Sequence, residues 1–149
     1  MADLLIRPRE LGDDVWIRGL YARCHPRWPE RPREWFTAYP TLVAEKGRGR
    51  IVGFTSFSVN GLSGMTMLQG QDVCVAPDCQ GQGIGGQLHR ARVIIGHDVG
   101  ATMFSGMTQL DNLAMLRIFL ACGYHQCQTF PRYFPGGEDG LLYLGPVVL

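Results

Sequence analysis

Four glycines crowd into six positions, Gly81, Gly83, Gly85 and Gly86, after a strand-like run that ends at Pro77 and into the first turn of a helix-like run that opens at Ile84. Glycine in such numbers gives up backbone entropy, so the chain must either turn tightly there or bring bare backbone against something. A strand, a glycine loop and a helix in that order gather free N–H groups at one point. The helix adds the positive end of its dipole, equivalent to about half a charge. That is the geometry of an anion site, and a phosphate suits it. The plainer alternative is a turn that only lets strand and helix pack closely.

The flanking segments read as mixed α/β with more hairpins than a purely βαβ chain would show. Residues 4–7 form a short strand closed by Pro8, and residues 11–24 carry a helical stripe at Val15, Trp16, Leu20 and Tyr21. The proline- and aromatic-rich stretch that follows reads as an ordered loop with a short helix over residues 33–39. A hairpin occupies residues 41–59, turning at 46–50, and the next strand ends at Pro77. From Ile84, the positions Leu88, Ala91, Ile95 and Val99 fall on one helix face. A strand over residues 101–108 leads into a helix with a stripe at Leu113, Leu116 and Leu120. Asp111 or Asn112 is its N-cap, and Gly123 lies just past its end. Two last strands flank a turn at Gly136 and Gly137.

The whole chain narrows the function classes. At 149 residues it is expected to be one domain, able to bury roughly 68–70% of its unfolded surface. A formal charge of +1 gives no reason to expect nucleic acid or an anionic membrane as partner. No apolar run approaches the roughly 20 residues of a membrane span, and the N-terminus lacks a signal-peptide pattern. Five cysteines without a Cys-x-x-Cys favour reduced thiols and a cytoplasmic setting. The four histidines are scattered, so no metal is expected.

Which phosphate the loop holds depends on its neighbours. Gly81, Gly83 and Gly86 fit the dinucleotide fingerprint, but the acidic residue expected about 20 positions on is absent from the strand at 101–108. A P-loop would need a Lys-Ser/Thr pair that is also missing. The segment Gln80-x-x-Gly83-x-Gly85, placed just after "VCVAPDC", resembles the pyrophosphate loop of the GNAT superfamily of acyl-CoA-dependent N-acyltransferases. Downstream, Asn112, Ala114, Phe119, Gly123 and Tyr124 resemble that family's second signature in register. The resemblance runs over nearly the whole chain and is loosest before residue 40.

The resemblance implies a single α/β (α+β-like) domain over residues 1–149, with a central mixed, mostly antiparallel sheet flanked by helices. Its splayed central strands would hold CoA. It implies acetyl-CoA as cosubstrate without a metal, and an amine of a small molecule, rather than of a peptide, as acceptor. A homodimer is left open. The backbone of Val73, Cys74 and Val75 would pair with the pantetheine arm, and the N–H of Val75 would serve the oxyanion. Gln80, Gly81, Gln82, Gly83, Ile84, Gly85 and Gly86 would hold the pyrophosphate, and Asn112 would lie near the pantetheine. Where the family often carries a glutamate, this chain has Gln69 and Gln71, so Asp72 is the candidate catalytic carboxylate or else a structural one. Trp28, Glu34, Trp35 and Phe36 are candidates for acceptor contact or for plain core packing. Cys122, as a ping-pong nucleophile, has no base paired to it in sequence. Phe119 stands where members commonly place a tyrosine that can protonate the departing sulfur. Together with the missing glutamate, it keeps a second reading open: a non-catalytic CoA-binding regulatory module.

Overall fold

The structure is a computed structural model that describes residues 3–28 and 38–149. Among the described residues the elements run β1 (Leu4–Pro8), α1 (Asp14–Cys24), β2 (Thr41–Lys46), β3 (Arg50–Leu62), β4 (Met65–Val75) and α2 (Ile84–Asp98). They continue as β5 (Met103–Thr108), α3 (Leu113–Ala121), β6 (His125–Phe130) and β7 (Gly140–Pro146), with 3-10 turns at Leu11–Asp13 and Pro77–Cys79. The strands form one sheet in the order β1-β2-β3-β4-β5-β7-β6, with helices flanking it. β4 and β5 are parallel, while β1–β2, β2–β3, β5–β7 and β6–β7 are antiparallel. This is the mixed, mostly antiparallel α/β sheet that the resemblance implies. The short helix expected near residues 33–39 falls largely outside the described residues. No helix among those described is long and apolar enough to cross a membrane.

Contacts sort the chain into two compact units, residues 1–57 with 72–92 and residues 58–71 with 93–149. In the first unit, Arg7 grips Asp13 with two hydrogen bonds of 2.8 and 3.1 Å, and Arg9 pairs with Asp14. These pairs orient α1 against the strands. Ile17, Leu20 and Tyr21 turn inward to pack with Val43, Val52 and Phe54 of the sheet and Ile84 and Leu88 of α2. The expected stripe holds at Leu20 and Tyr21 and fails at Val15 and Trp16, which are exposed at 73% and 49%. The buried Asp13 and Asp14 fix which side faces in, and the 3-10 turn ahead of Asp14 advances at three residues per turn rather than 3.6. The β2–β3 hairpin turns through Gly47 and Gly49 with φ of 66° and 74°, values that need glycine.

α2 also rotates relative to expectation. Its inward residues are Ile84, Leu88, His89, Arg92, Val93 and Gly96; Ala91 and Ile95 are half-buried, and Val99 lies beyond the helix and is exposed. Gly96 decides the face, because a Cβ there would come within 2.8 Å of Leu68.

In the second unit, Phe104 stacks on Tyr124 at 4.7 Å, and Phe119 meets Phe104, Tyr124 and Tyr143 at 5.6, 5.7 and 5.3 Å. α3 accordingly buries Met115 and Phe119, not the expected leucines; Leu113 and Leu120 face out. The aromatic cluster claims one i, i+4 pair, leaves Leu116 and Ile118 half-buried, and gives Leu113 and Leu120 to solvent. Asn112 is the N-cap, its Oδ1 accepting from Met115 N–H at 3.2 Å, and Gly123 with φ of 77° follows the helix end, both as the sequence suggests.

Candidate active site

The sequence-predicted site residues fall mostly in the first unit, at the end of β4 and the start of α2. The parallel ladder with β5 has four rungs, from Met67–Met103 to Gly70–Gly106, and β4 runs on past the last of them to Val75. Within this extension Cys74 is fully buried, whereas Asp72, Val73 and Val75 are half-buried. The chain then crosses back to β3 through Ala76 N–H, which donates to Val52 O at 2.7 Å.

Asp72 is held on both its backbone and its side chain. Thr55 Oγ1 donates to its carbonyl at 2.6 Å, and Ser56 Oγ donates to its carboxylate at 3.2 Å. Beneath it lies Arg92, buried to 2% exposure, whose guanidinium donates to Ser56 O at 3.3 Å and Asp72 O at 3.4 Å. Arg92 Nε also donates to His89 Nδ1 at 3.0 Å, so that nitrogen is an acceptor and the imidazole is neutral. Sequence reading missed Thr55, Ser56, His89 and Arg92. "LHRAR" looks like a solvated face, and only the i, i+4, i+8 spacing of Ile84, Leu88 and Arg92 hints that it is not.

Alternation along the strand puts Asp72 and Cys74 on one face of β4. That face meets the end of α1. Cys74 Sγ lies 3.8 Å from His25 Nε2, and Cys24 Sγ donates to Val75 O at 3.5 Å. His25 in turn stacks on Trp28, with centroids 3.8 Å apart and planes 5° from parallel, and leans on Tyr21. Trp28 packs against the core cluster, as the plainer of its two readings has it. Glu34, Trp35 and Phe36 lie outside the described residues.

After the Pro77–Cys79 turn, Gln80, Gly81, Gln82 and Gly83 are all exposed. Gly81 and Gly83 have φ of 79°, and a Cβ on either would meet nothing within 4 Å. The loop is therefore shaped by backbone conformation, not by close packing of strand and helix. Side chains pin it from outside. Gln80 Nε2 donates to Val75 O at 3.1 Å, and Lys46 Nζ donates to Gln82 Oε1 at 3.0 Å. Arg50 pairs with Asp78 at 2.6 Å, holding that exposed carboxyl below its usual range. Gln87 N–H, donating to Gly83 O at 3.1 Å, opens the helical ladder. The N–H groups of Ile84, Gly85 and Gly86 precede it and have no intrahelical acceptor. Asn112 belongs to the second unit, where its side chain caps α3.

Residues 37–126 match the acetyltransferase (GNAT) domain family over more than half of the chain. The chain belongs to the GNAT acetyltransferase family. It is an enzyme that works with acetyl-CoA, and the glycine loop is that of a GNAT domain, not of a dinucleotide fold. A comparison with curated protein sequences returns no match. Among solved structures, the ribosomal-protein-S18-alanine N-acetyltransferase of Escherichia coli is 18% identical. The alignment covers 99% of this chain and 96% of that one, with a TM-score of 0.82. The Salmonella typhimurium protein yncA, solved with its cofactor acetyl-CoA, is 21% identical over 97% and 94% of the two chains, with a TM-score of 0.77. A chain of the NatC complex bound to Gag peptide and CoA is 13% identical over 98% and 99%, with a TM-score of 0.86. At these identities the likeness shows the fold.

Acetyl-CoA fits the residues that are present. Its pyrophosphate needs bare N–H groups and room, which Gly81, Gly83 and the open first turn of α2 provide. Lys46, the single lysine of the chain, brings a cation to the loop through Gln82.

Proposed function

We propose that this GNAT enzyme, one domain over residues 1–149, acetylates the amine of a small molecule by direct attack of the amine on the thioester. The observation that carries the acceptor reading is Asp72, a half-buried carboxylate held by Ser56 on the same face of β4 as Cys74. A carboxylate attracts an alkylammonium, and through a water it takes the proton that the amine must lose before attack.

Bound acetyl-CoA supplies the activated acetyl group; the residues of the chain place it. The backbone of Val73, Cys74 and Val75 pairs with the pantetheine amides as an added strand would, so those amides keep partners when buried. Val75 N–H donates to the oxygen on which negative charge develops. Gln80, Gly81, Gln82, Gly83, Ile84, Gly85 and Gly86 surround the pyrophosphate. In that set Gln80 and Gln82 act by holding the loop to Val75 and Lys46. Asn112 serves the pantetheine arm besides capping α3.

Two of the structural neighbours carry names that refer to a ribosomal protein and a peptide, which makes a peptide α-amine the competing acceptor. The test is thiol release from acetyl-CoA across a panel of small primary amines and a matched panel of peptide N-termini. Turnover of a small amine is expected. Asp72→Asn should lower kcat/KM for it by about a hundredfold, the lower end of what a positioned base contributes. Turnover confined to peptides overturns the small-molecule reading.

A further inference from the structure

We propose that Cys24 and Cys74 form a reversible disulfide site: oxidation joins the end of α1 to β4 and thereby switches off acetyl-CoA binding. Cys24 is the last residue of α1 and half-buried, whereas Cys74 is 1% exposed. The two thiols sit at neighbouring points where α1 meets β4, for each touches the residue that follows the other in sequence. Cys24 Sγ lies at Val75 O (3.5 Å) and Cys74 Sγ near His25 Nε2 (3.8 Å). The neighbouring Cys74 thiol holds the Cys24 thiol below its ordinary range, while Cys24 in turn, with burial, pushes Cys74 well up. The pair is thus unequal. Cys24 is half-buried with its thiolate favoured, and Cys74 is buried and protected until its partner has reacted.

The oxidant is a low-molecular-weight disulfide such as oxidised glutathione. The Cys24 thiolate attacks one of its sulfurs, the S–S bond breaks, and one glutathione leaves as a thiolate that water protonates. Cys74 then gives its proton to His25 Nε2 and attacks Cys24 Sγ, expelling the second glutathione. The two protein thiols lose two electrons and two protons, and one glutathione disulfide becomes two thiols. Only the first step needs solvent access, so the burial of Cys74 is no obstacle. Closing the bond to about 2.05 Å draws Cys74 toward α1. In a close-packed interior Val73 and Val75 must move with it. This loss of affinity rests on the reading of β4 as the pantetheine strand.

The test treats the whole protein with oxidised glutathione, alkylates the remaining thiols and maps peptides without reduction, with CoA affinity measured by calorimetry on the same samples. The expected map links the Cys24 and Cys74 peptides. Exposed Cys127, whose thiol meets the His125 carbonyl, carries only a mixed disulfide and is the internal control. CoA affinity should fall at least tenfold and return with dithiothreitol, while Cys24→Ser should keep its affinity through the same treatment. Cys74→Ala, a second variant, should leave Cys24 as a mixed disulfide. Glutathione on Cys24 of the wild type with Cys74 still alkylatable overturns the disulfide. Linked peptides with unchanged CoA affinity overturn the switch. If reduced protein binds no CoA, the β4 reading and the switch fall together, and the peptide map still decides the disulfide.

Discussion

His89 is buried beside Arg92, and burial, reinforced by that cation, lowers its pKa from 6.5 to about 2. The fold therefore keeps the imidazole neutral where the unfolded chain would take up a proton. Stability from this source is complete above pH 6.5 and declines as pH falls toward 2, at about 1.4 kcal/mol per pH unit for one proton. His89→Asn keeps an acceptor for Arg92 Nε and removes the titration. Urea midpoints measured between pH 6 and pH 4.5 should thus fall more gently in the variant, by roughly 1 kcal/mol per unit. Asp13, held low by its hydrogen bond to Arg7, adds its own loss only as pH drops below its ordinary value of 3.8, outside that window. Phe119 makes a second residue-scale case. In sequence it reads as a missing phenol; in the structure its ring fills an aromatic cluster, and its Cζ lies 2.8 Å from where a Cβ of Gly106 would stand. Gly106 is what admits the ring. Phe119→Tyr should cost about 1–3 kcal/mol by crowding that contact, read by thermal unfolding. It should change kcat by less than tenfold, since a thiol leaves readily as its own anion.

At the scale of elements, the glycine loop and the first turn of α2 were the most legible part of the chain, because glycine spacing and a strand-to-helix switch are local signals. The helix faces were legible only in part: Leu20, Tyr21 and Leu88 are buried as expected, whereas Val15, Trp16, Val99, Leu113 and Leu120 are not. All three stripes were read from the most apolar residues, yet Asp13 and Asp14 oriented α1, Gly96 oriented α2, and an aromatic cluster oriented α3. Each deciding contact is tertiary: an ion pair to a strand, a close approach allowed by a missing side chain, a ring seated among rings. The loop itself offers a clean experiment. A Cβ at Gly86 meets nothing within 4 Å, and any side chain suits a helix better than glycine, so Gly86→Glu should fold as well as the wild type. It nevertheless places a carboxylate at the mouth of the anion site. CoA affinity should fall at least tenfold by calorimetry, with an unchanged melting temperature in the absence of ligand. Lys46→Ala should lower the affinity less, and the deficit should shrink as salt is raised, because its part is that of a screened surface charge. Unchanged CoA affinity in Gly86→Glu would mean that the loop glycines serve chain geometry alone.

For the whole molecule, the order of strands and helices was legible because hairpin turns and caps mark boundaries wherever tertiary contacts later place the faces. Less legible was how the chain shares its contacts. β3, β4 and α2 each contribute residues to both compact units, with the division falling after Phe57, Gln71 and Arg92. A continuous strand or helix is hard to melt halfway, since its backbone bonds form cooperatively along its length. With three such elements common to both units, the chain should unfold in one calorimetric transition whose van't Hoff and calorimetric enthalpies agree. Acetyl-CoA at 100 times its Kd should then stabilise the whole transition by about 2.7 kcal/mol. For a chain of about 150 residues that is a rise in Tm of roughly 5–10 °C, and NADH at the same concentration should produce none. Two transitions, with acetyl-CoA moving only one, would show that the units are separate domains and that the ligand belongs to one of them. A single transition that moves intact makes residues 1–149 one cooperative domain, with β4 as part of its common framework.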